Sequence, residues 1–178
     1  MSRKFNRLSL YIVVYLGRLI RFFKEGHSVQ ILSPFEGDVI PSSLVSDINI
    51  SKDIFGLSIA LLPSLGELRA PCNCVVERIS EYSNALCLRI GKNRLIVNVG
   101  LEYDKYPKEY FFWNVQTGQK VEKGQLLLRF NVNQLKDIDS NFLCVLTIRH
   151  PKTMQQISML NVRHVSFDSI ICNLNSRG

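Results

Sequence analysis

The side chains in this chain that could carry out chemistry are few and scattered. Its three histidines, His27, His150 and His164, have no further ligand at metal spacing, so each reads as a surface or capping residue and no metal site is expected. Cys72 and Cys74 lie two apart, so on a strand both thiols would share one face and could in principle share a metal, but no second pair completes a ligand set. The five cysteines form an odd count without a C-x-x-C pair and fall mostly inside apolar runs, which reads as reduced core residues of a cytosolic protein. Lys92, in Gly91-Lys92-Asn93 between two apolar runs, is where a hairpin tip could present an amine. No G-x-G-x-x-G follows a strand and no P-loop is present, so nucleotide binding has no support. No cofactor is expected.

The elements that must hold these residues are strands. From Val29 onward, apolar runs of a few residues, rich in Val, Ile and Leu, are punctuated by Gly, Pro and Asn. Strands are expected at Gly37–Ile40, Leu57–Leu62, Cys74–Ile79, Ala85–Ile90, Arg94–Val99, Gln125–Phe130 and Leu143–Ile148. No segment past residue 30 keeps a helical period over several turns, so a sandwich or barrel is expected and parallel βαβ architecture is not. With 178 residues, 46% of them hydrophobic, the chain can bury one continuous core.

Charge divides the chain at its N-terminus. Arg3, Lys4, Arg7, Arg18, Arg21 and Lys24 stand against Glu25 in residues 1–26, which leaves +5 there and +2 for the rest of the formal +7. A body so close to neutral gives no reason to expect a nucleic-acid surface. The uncharged stretch Leu8 to Gly17 is about half of what a spanning helix needs. No small-residue cleavage site follows it, so export is not expected. Leu8, Ile12, Leu16, Leu19 and Phe23 recur at helical spacing with Arg7, Arg18 and Arg21 off that stripe. Two readings stay open: an interfacial helix on an anionic membrane, or a helix packed on the domain or on a second copy. The expected organisation is a basic amphipathic segment over 1–28 and a β domain over 29–178.

A family resemblance runs through the body. Ser33-Pro34-Phe35-Glu36-Gly37-Asp38-Val39 resembles the opening SP-x-x-G-x-V of the glucose-type enzyme IIA family of the bacterial sugar phosphotransferase system. Asp47, Ile54, Phe55, Gly56, Ile59, Ala60 and Pro63 follow at that family's spacing, and Ala70-Pro71 matches its second AP segment, with Cys74 in place of a glycine. Asn84-Ala85 sits where the family has NHA, and Ile96-Val97-Asn98-Val99-Gly100-Leu101 where it has FVHFGID. Gly118 to Gln125 is similar to a G-x-x-V-x-x-G turn shared with lipoyl and biotinyl carrier domains.

The resemblance covers roughly residues 30–175 and implies an antiparallel β-sandwich or barrel of the duplicated-hybrid type with a short N-terminal helix. It further implies that two histidines facing each other in a shallow apolar depression take a phosphoryl group from the carrier HPr and pass it to a IIB domain. Here both positions are asparagine, Asn84 and Asn98. An amide nitrogen lends its lone pair to the carbonyl and cannot attack phosphorus as a neutral imidazole does. It can still donate and accept hydrogen bonds. The former active-site face is then expected to comprise Asp47, Ile48, Ile54, Phe55, Ser80, Tyr82, Asn84, Arg94, Ile96, Asn98 and Glu102. Arg94 replaces an acidic residue and Ser80 an aromatic one, so a rim suited to a basic partner is partly reversed in sign.

The leading expectation is a non-catalytic binding or regulatory protein that meets a protein partner through this face, in the cytoplasm or peripherally on the inner side of the membrane. Two alternatives are a phosphocarrier using another histidine and a lipoyl- or biotinyl-type carrier, although Lys92 lacks the short motif those carriers use. A metallopeptidase on a related barrel would need an H-x-H pair, which is missing.

Overall fold

The computed structural model of the protein describes residues 28–102, 104–149 and 163–175. The N-terminal helix expected before residue 27, its six basic residues, His27 and His150 lie outside the described residues.

Alternation of inward apolar and outward side chains builds the strands. In chain order they are β1 (Ser28–Leu32), β2 (Gly37–Ile40), β3 (Leu57–Pro63), β4 (Glu67–Arg69), β5 (Cys74–Ser80), β6 (Ala85–Ile90), β7 (Asn93–Val99), β8 (Phe111–Trp113), β9 (Lys120–Val121), β10 (Leu126–Phe130), β11 (Cys144–Arg149), β12 (His164–Val165) and β13 (Ile170–Asn175). Among the described residues they form an eight-stranded sheet in the order β12-β2-β3-β11-β7-β6-β5-β9, a three-stranded sheet β4-β10-β8 and the pair β1-β13. The ladders are antiparallel. The sheets are stacked and open, so of the two expected architectures the sandwich is the one observed.

The main core lies on one face of the large sheet, where Leu86, Leu88, Leu95, Val97, Leu146 and Ile148 meet Leu68, Leu128 and Phe130 of the small one. Ile31, Cys172 and Leu174 of the β1-β13 pair close the same cluster. Phe142 packs between Tyr106 and Phe130, with ring centroids 5.2 and 5.9 Å away. All five cysteines are unpaired, and four of them are buried, as expected of core thiols.

The opposite face of the large sheet carries a second, smaller cluster of Val45, Ile50, Ala60 and Val145. Val45 and Ile50 come from a covering segment that contains a 3-10 turn (Ser42–Leu44) and a one-turn helix (Ile48–Ser51). Two short features were not expected from periodicity: this helix and the two-turn helix Val132–Ile138, whose N-cap Asn131 accepts from Gln134 N–H. Each is too short to show a repeating apolar stripe.

Candidate functional site

The register of the large sheet decides which side chains share the face opposite the main core. Along β7, Leu95, Val97 and Val99 enter the core, so Arg94, Ile96 and Asn98 point the other way. Asn98 pairs with Ala85 of β6 on one side and Val145 of β11 on the other, and Val145 pairs with Ala60. One transverse row therefore runs Ala60, Val145, Asn98, Ala85, and Val45 and Ile50 cover its first two members.

Asn84 immediately precedes β6 and is 2% exposed, with a left-handed backbone at φ 45°. Its carbonyl accepts a 3.0 Å hydrogen bond from Val99 N–H, which ties it to the residue beside Asn98. Asparagine and histidine are among the few non-glycine residues that enter this region readily. Asn at 84 thus suits the local backbone, and its burial takes it off the exposed part of the face it was expected to share.

The second row runs Ser58, Thr147, Ile96, Cys87 and Arg78. Ser58 and Thr147 are buried and share a 3.0 Å hydroxyl hydrogen bond, which satisfies both groups. The third row is cationic: Arg149, Arg94 and Arg89 lie side by side on β11, β7 and β6. Register shifts in β5 between Val76 and Arg78, a bulge that turns both Glu77 and Arg78 toward this face. Glu77 accepts two hydrogen bonds from Arg94 at 2.7 and 3.0 Å, and Arg89 lies 3.9 Å from it. The Arg94 guanidinium, then the Cys87 thiol, hold the Glu77 carboxyl below its ordinary range. Burial, then that carboxylate, push the Cys87 thiol up to about 11, so it is not an activated nucleophile.

The covering segment supplies the apolar part. Ile48, Ile54 and Phe55 are each more than half exposed. Asp47, expected on the docking face, caps the Ile48–Ser51 helix by accepting from Asn49 and Ile50 N–H at 2.7 and 3.3 Å. Gly56 follows Phe55 with φ 141°, and a Cβ there would stand 2.1 Å from the Ile148 carbonyl oxygen. That close approach holds Gly56 against the backbone of Ile148 and Arg149, so the chain at Phe55 leaves from the end of β11.

The remaining expected residues are more dispersed. Ser80 ends β5 opposite Ala85 and accepts from the Ser83 hydroxyl at 2.7 Å. Tyr82 stands 78% exposed in the following turn, with Lys108 Nζ 4.1 Å from its ring centroid. Glu102, past the end of β7, pairs with Lys105 at 3.4 Å. Lys92 is exposed in the β6–β7 turn. His164, on β12, lies four strands from β7, about 19 Å across the sheet. Its Nδ1 meets the Asp38 carboxylate at 2.9 Å. Among the described residues no group of His, Cys, Asp and Glu is arranged to hold a metal, Cys72 and Cys74 included. Sequence reasoning did not single out Arg89 and Arg149. Strand alternation could have turned them outward, but not placed them beside Arg94.

Comparison with known proteins agrees with the fold. Residues 29–154 match the family described as phosphoenolpyruvate-dependent sugar phosphotransferase system, EIIA 1. The structure is similar to that of the glucose permease IIA from Mycoplasma capricolum, with a TM-score of 0.71 and 16% identity over 84% of this chain and 97% of that one. A weaker similarity, with a TM-score of 0.36 and 15% identity, covers 67% of this chain and 26% of Helicobacter pylori Csd3.

Proposed function

The chain belongs to the EIIA 1 family of the phosphoenolpyruvate-dependent sugar phosphotransferase system, and from that premise we propose that it is an enzyme IIA-like protein without phosphoryl transfer, a binding or regulatory protein that presents the former active-site face to a protein partner. The observation that supports this reading is the placement of Asn84 and Asn98. Asn98 lies on β7 and Asn84 in the turn that leads into β6, the two joined through Val99 N–H and the Asn84 carbonyl, at the positions the resemblance gives to two histidines. Phosphorylating such a site forms an N–P bond while the donor's P–N bond breaks, which requires an imidazole lone pair. An amide offers none, yet the half-buried Asn98 keeps a polar group on this face, and the backbone of the buried Asn84 is one that histidine also adopts. The protein would therefore remain in one unphosphorylated state.

The test is labelling by phosphoenolpyruvate, enzyme I and HPr of the native chain, Asn84→His, Asn98→His and the double replacement. The expected result is an unlabelled native chain and recovered label in the double replacement. Label on the native chain refutes the reading and directs the search for an acceptor to His27, His150 and His164. His164 keeps that alternative specific, because Asp38 engages its Nδ1 and leaves Nε2 as the nitrogen to phosphorylate.

The proposed organisation adds the basic segment 1–28 to the β domain 29–178, with Arg3, Lys4, Arg7, Arg18, Arg21 and Lys24 meeting an anionic membrane. This would place the protein in the cytoplasm, peripherally on the membrane. Among the described residues no helix is long and apolar enough to cross a membrane. Deleting residues 1–26 should abolish co-sedimentation with anionic vesicles, and equal sedimentation of both forms would assign the segment to packing.

A further inference from the structure

The geometry points to a protein partner whose contacting surface is acidic beside an apolar patch, an inference that rests on the docking role proposed above. Four guanidinium groups, Arg78, Arg89, Arg94 and Arg149, gather at one end of the outward face of the large sheet. Glu77 is the carboxylate placed among them, and it is committed to Arg94 by two hydrogen bonds. Arg89 and Arg94 keep 43% and 45% of their side chains exposed, and Arg78 and Arg149 are exposed as well. The rank thus carries an excess of positive charge in a body whose formal charge is otherwise near neutral.

The rank does not stand alone. Gly56 lies against the Ile148 carbonyl and brings the exposed Ile54–Phe55 pair to the end of β11 where Arg149 sits. Inward along β7 from Arg94 come Ile96 and then Asn98, about 13 Å away. An apolar anchor with a rank of planar, bidentate cations on one side fits carboxylate-bearing side chains next to an apolar contact. A basic partner would meet like charge at the same distance and be rejected.

The test uses the full chain and two fluorescently labelled amphipathic peptides that share one apolar face, one with glutamates and the other with lysines on the polar face. The glutamate peptide should bind, shift the amide resonances of Arg94, Ile96 and Asn98, and weaken as salt rises. Arg89→Glu with Arg149→Glu should reduce its affinity about tenfold or more and improve binding of the lysine peptide. Arg89→Gln with Arg149→Gln, a milder change for folding, should give a smaller loss in the same direction. If the lysine peptide binds the native chain at these resonances as well as the glutamate peptide does, the acidic partner is refuted while the docking face stands. Unchanged binding of the glutamate peptide by both double variants also refutes it, and assigns the attraction to the basic residues of segment 1–26. If neither peptide shifts these resonances, this inference and the docking reading fall together.

Discussion

Replacing Gly56 with alanine perturbs the junction between the covering segment and β3, and its cost can be worked from the backbone conformation and the atoms packed against it. The residue holds φ at 141°, and an added Cβ would stand 2.1 Å from Ile148 O, 2.9 Å from Ile148 C and 3.0 Å from Arg149 Cα. These are backbone atoms of an interior strand, so no side-chain rotation relieves the clash. Gly91 serves as the reference for a left-handed residue with free space around it, because its φ is 57° and nothing lies within 4 Å of its Cβ position. At Gly56, by contrast, φ 141° lies in a region that is nearly exclusive to glycine. An L-residue in the left-handed α region costs about 1 kcal/mol, and at Gly56 the glycine-only backbone region and the clash with the strand backbone together cost roughly 3 kcal/mol. Gly91→Ala should therefore lose about 1 kcal/mol and Gly56→Ala about 3 kcal/mol. For a chain of this size these correspond to melting-temperature drops of about 3 °C and about 9 °C. Thermal unfolding followed by circular dichroism reads both, and Gly56→Ala should also reduce binding of an acidic peptide by displacing the Ile54–Phe55 segment from the end of β11. Equal drops for the two variants would refute the steric argument and with it the close packing that places Phe55.

Asp47→Ala removes the cap of the Ile48–Ser51 helix and should cost about 1 kcal/mol by chemical denaturation; a neutral outcome would return Asp47 to a role on the docking face. At Asp139, burial works upward, but the Tyr106 hydroxyl, Asn141 N–H and Lys105 outweigh it and hold the carboxyl below its ordinary value. A depressed carboxylate stabilises the fold above its unfolded value of about 3.9, and that contribution disappears as pH falls through the folded value. The stability gap between the native chain and Asp139→Asn should hence be constant near neutrality and close below about pH 4, and a gap unchanged at about pH 3 would contradict the assignment. Cys87, with its thiol at about 11, should alkylate slowly with iodoacetamide near neutral pH and faster in Glu77→Gln, as followed by intact mass. Rapid labelling of the native chain would show that Glu77 does not hold the thiol.

Much of the sheet was legible along the chain. Gly37–Ile40 and Ala85–Ile90 coincide with their expected spans, and the strands around Leu57, Cys74, Arg94, Gln125 and Leu143 shift by a residue or two. They were readable because alternation and flanking turn residues are local signals. β4, β8, β9 and β12, of two or three residues, are too short to alternate and exist because a partner strand holds them. β1 and β13 are longer, but each finds its partner at the other end of the described chain.

The candidate site divides the same way. Sequence alone determined that positions 84 and 98 hold amides where the resembled family has imidazoles, and that Arg94 reverses the sign of a rim position, because these are matters of residue type. Tertiary structure decided that Asn98 lies in a row with Ala60 and Val145 under the covering segment, that Asp47 is spent on a helix cap, and that Arg89 and Arg149 flank Arg94. The physical reason is register: β7 and β11 are brought together across a long stretch of chain by the shared core, and a shift of one residue would turn every outward side chain inward.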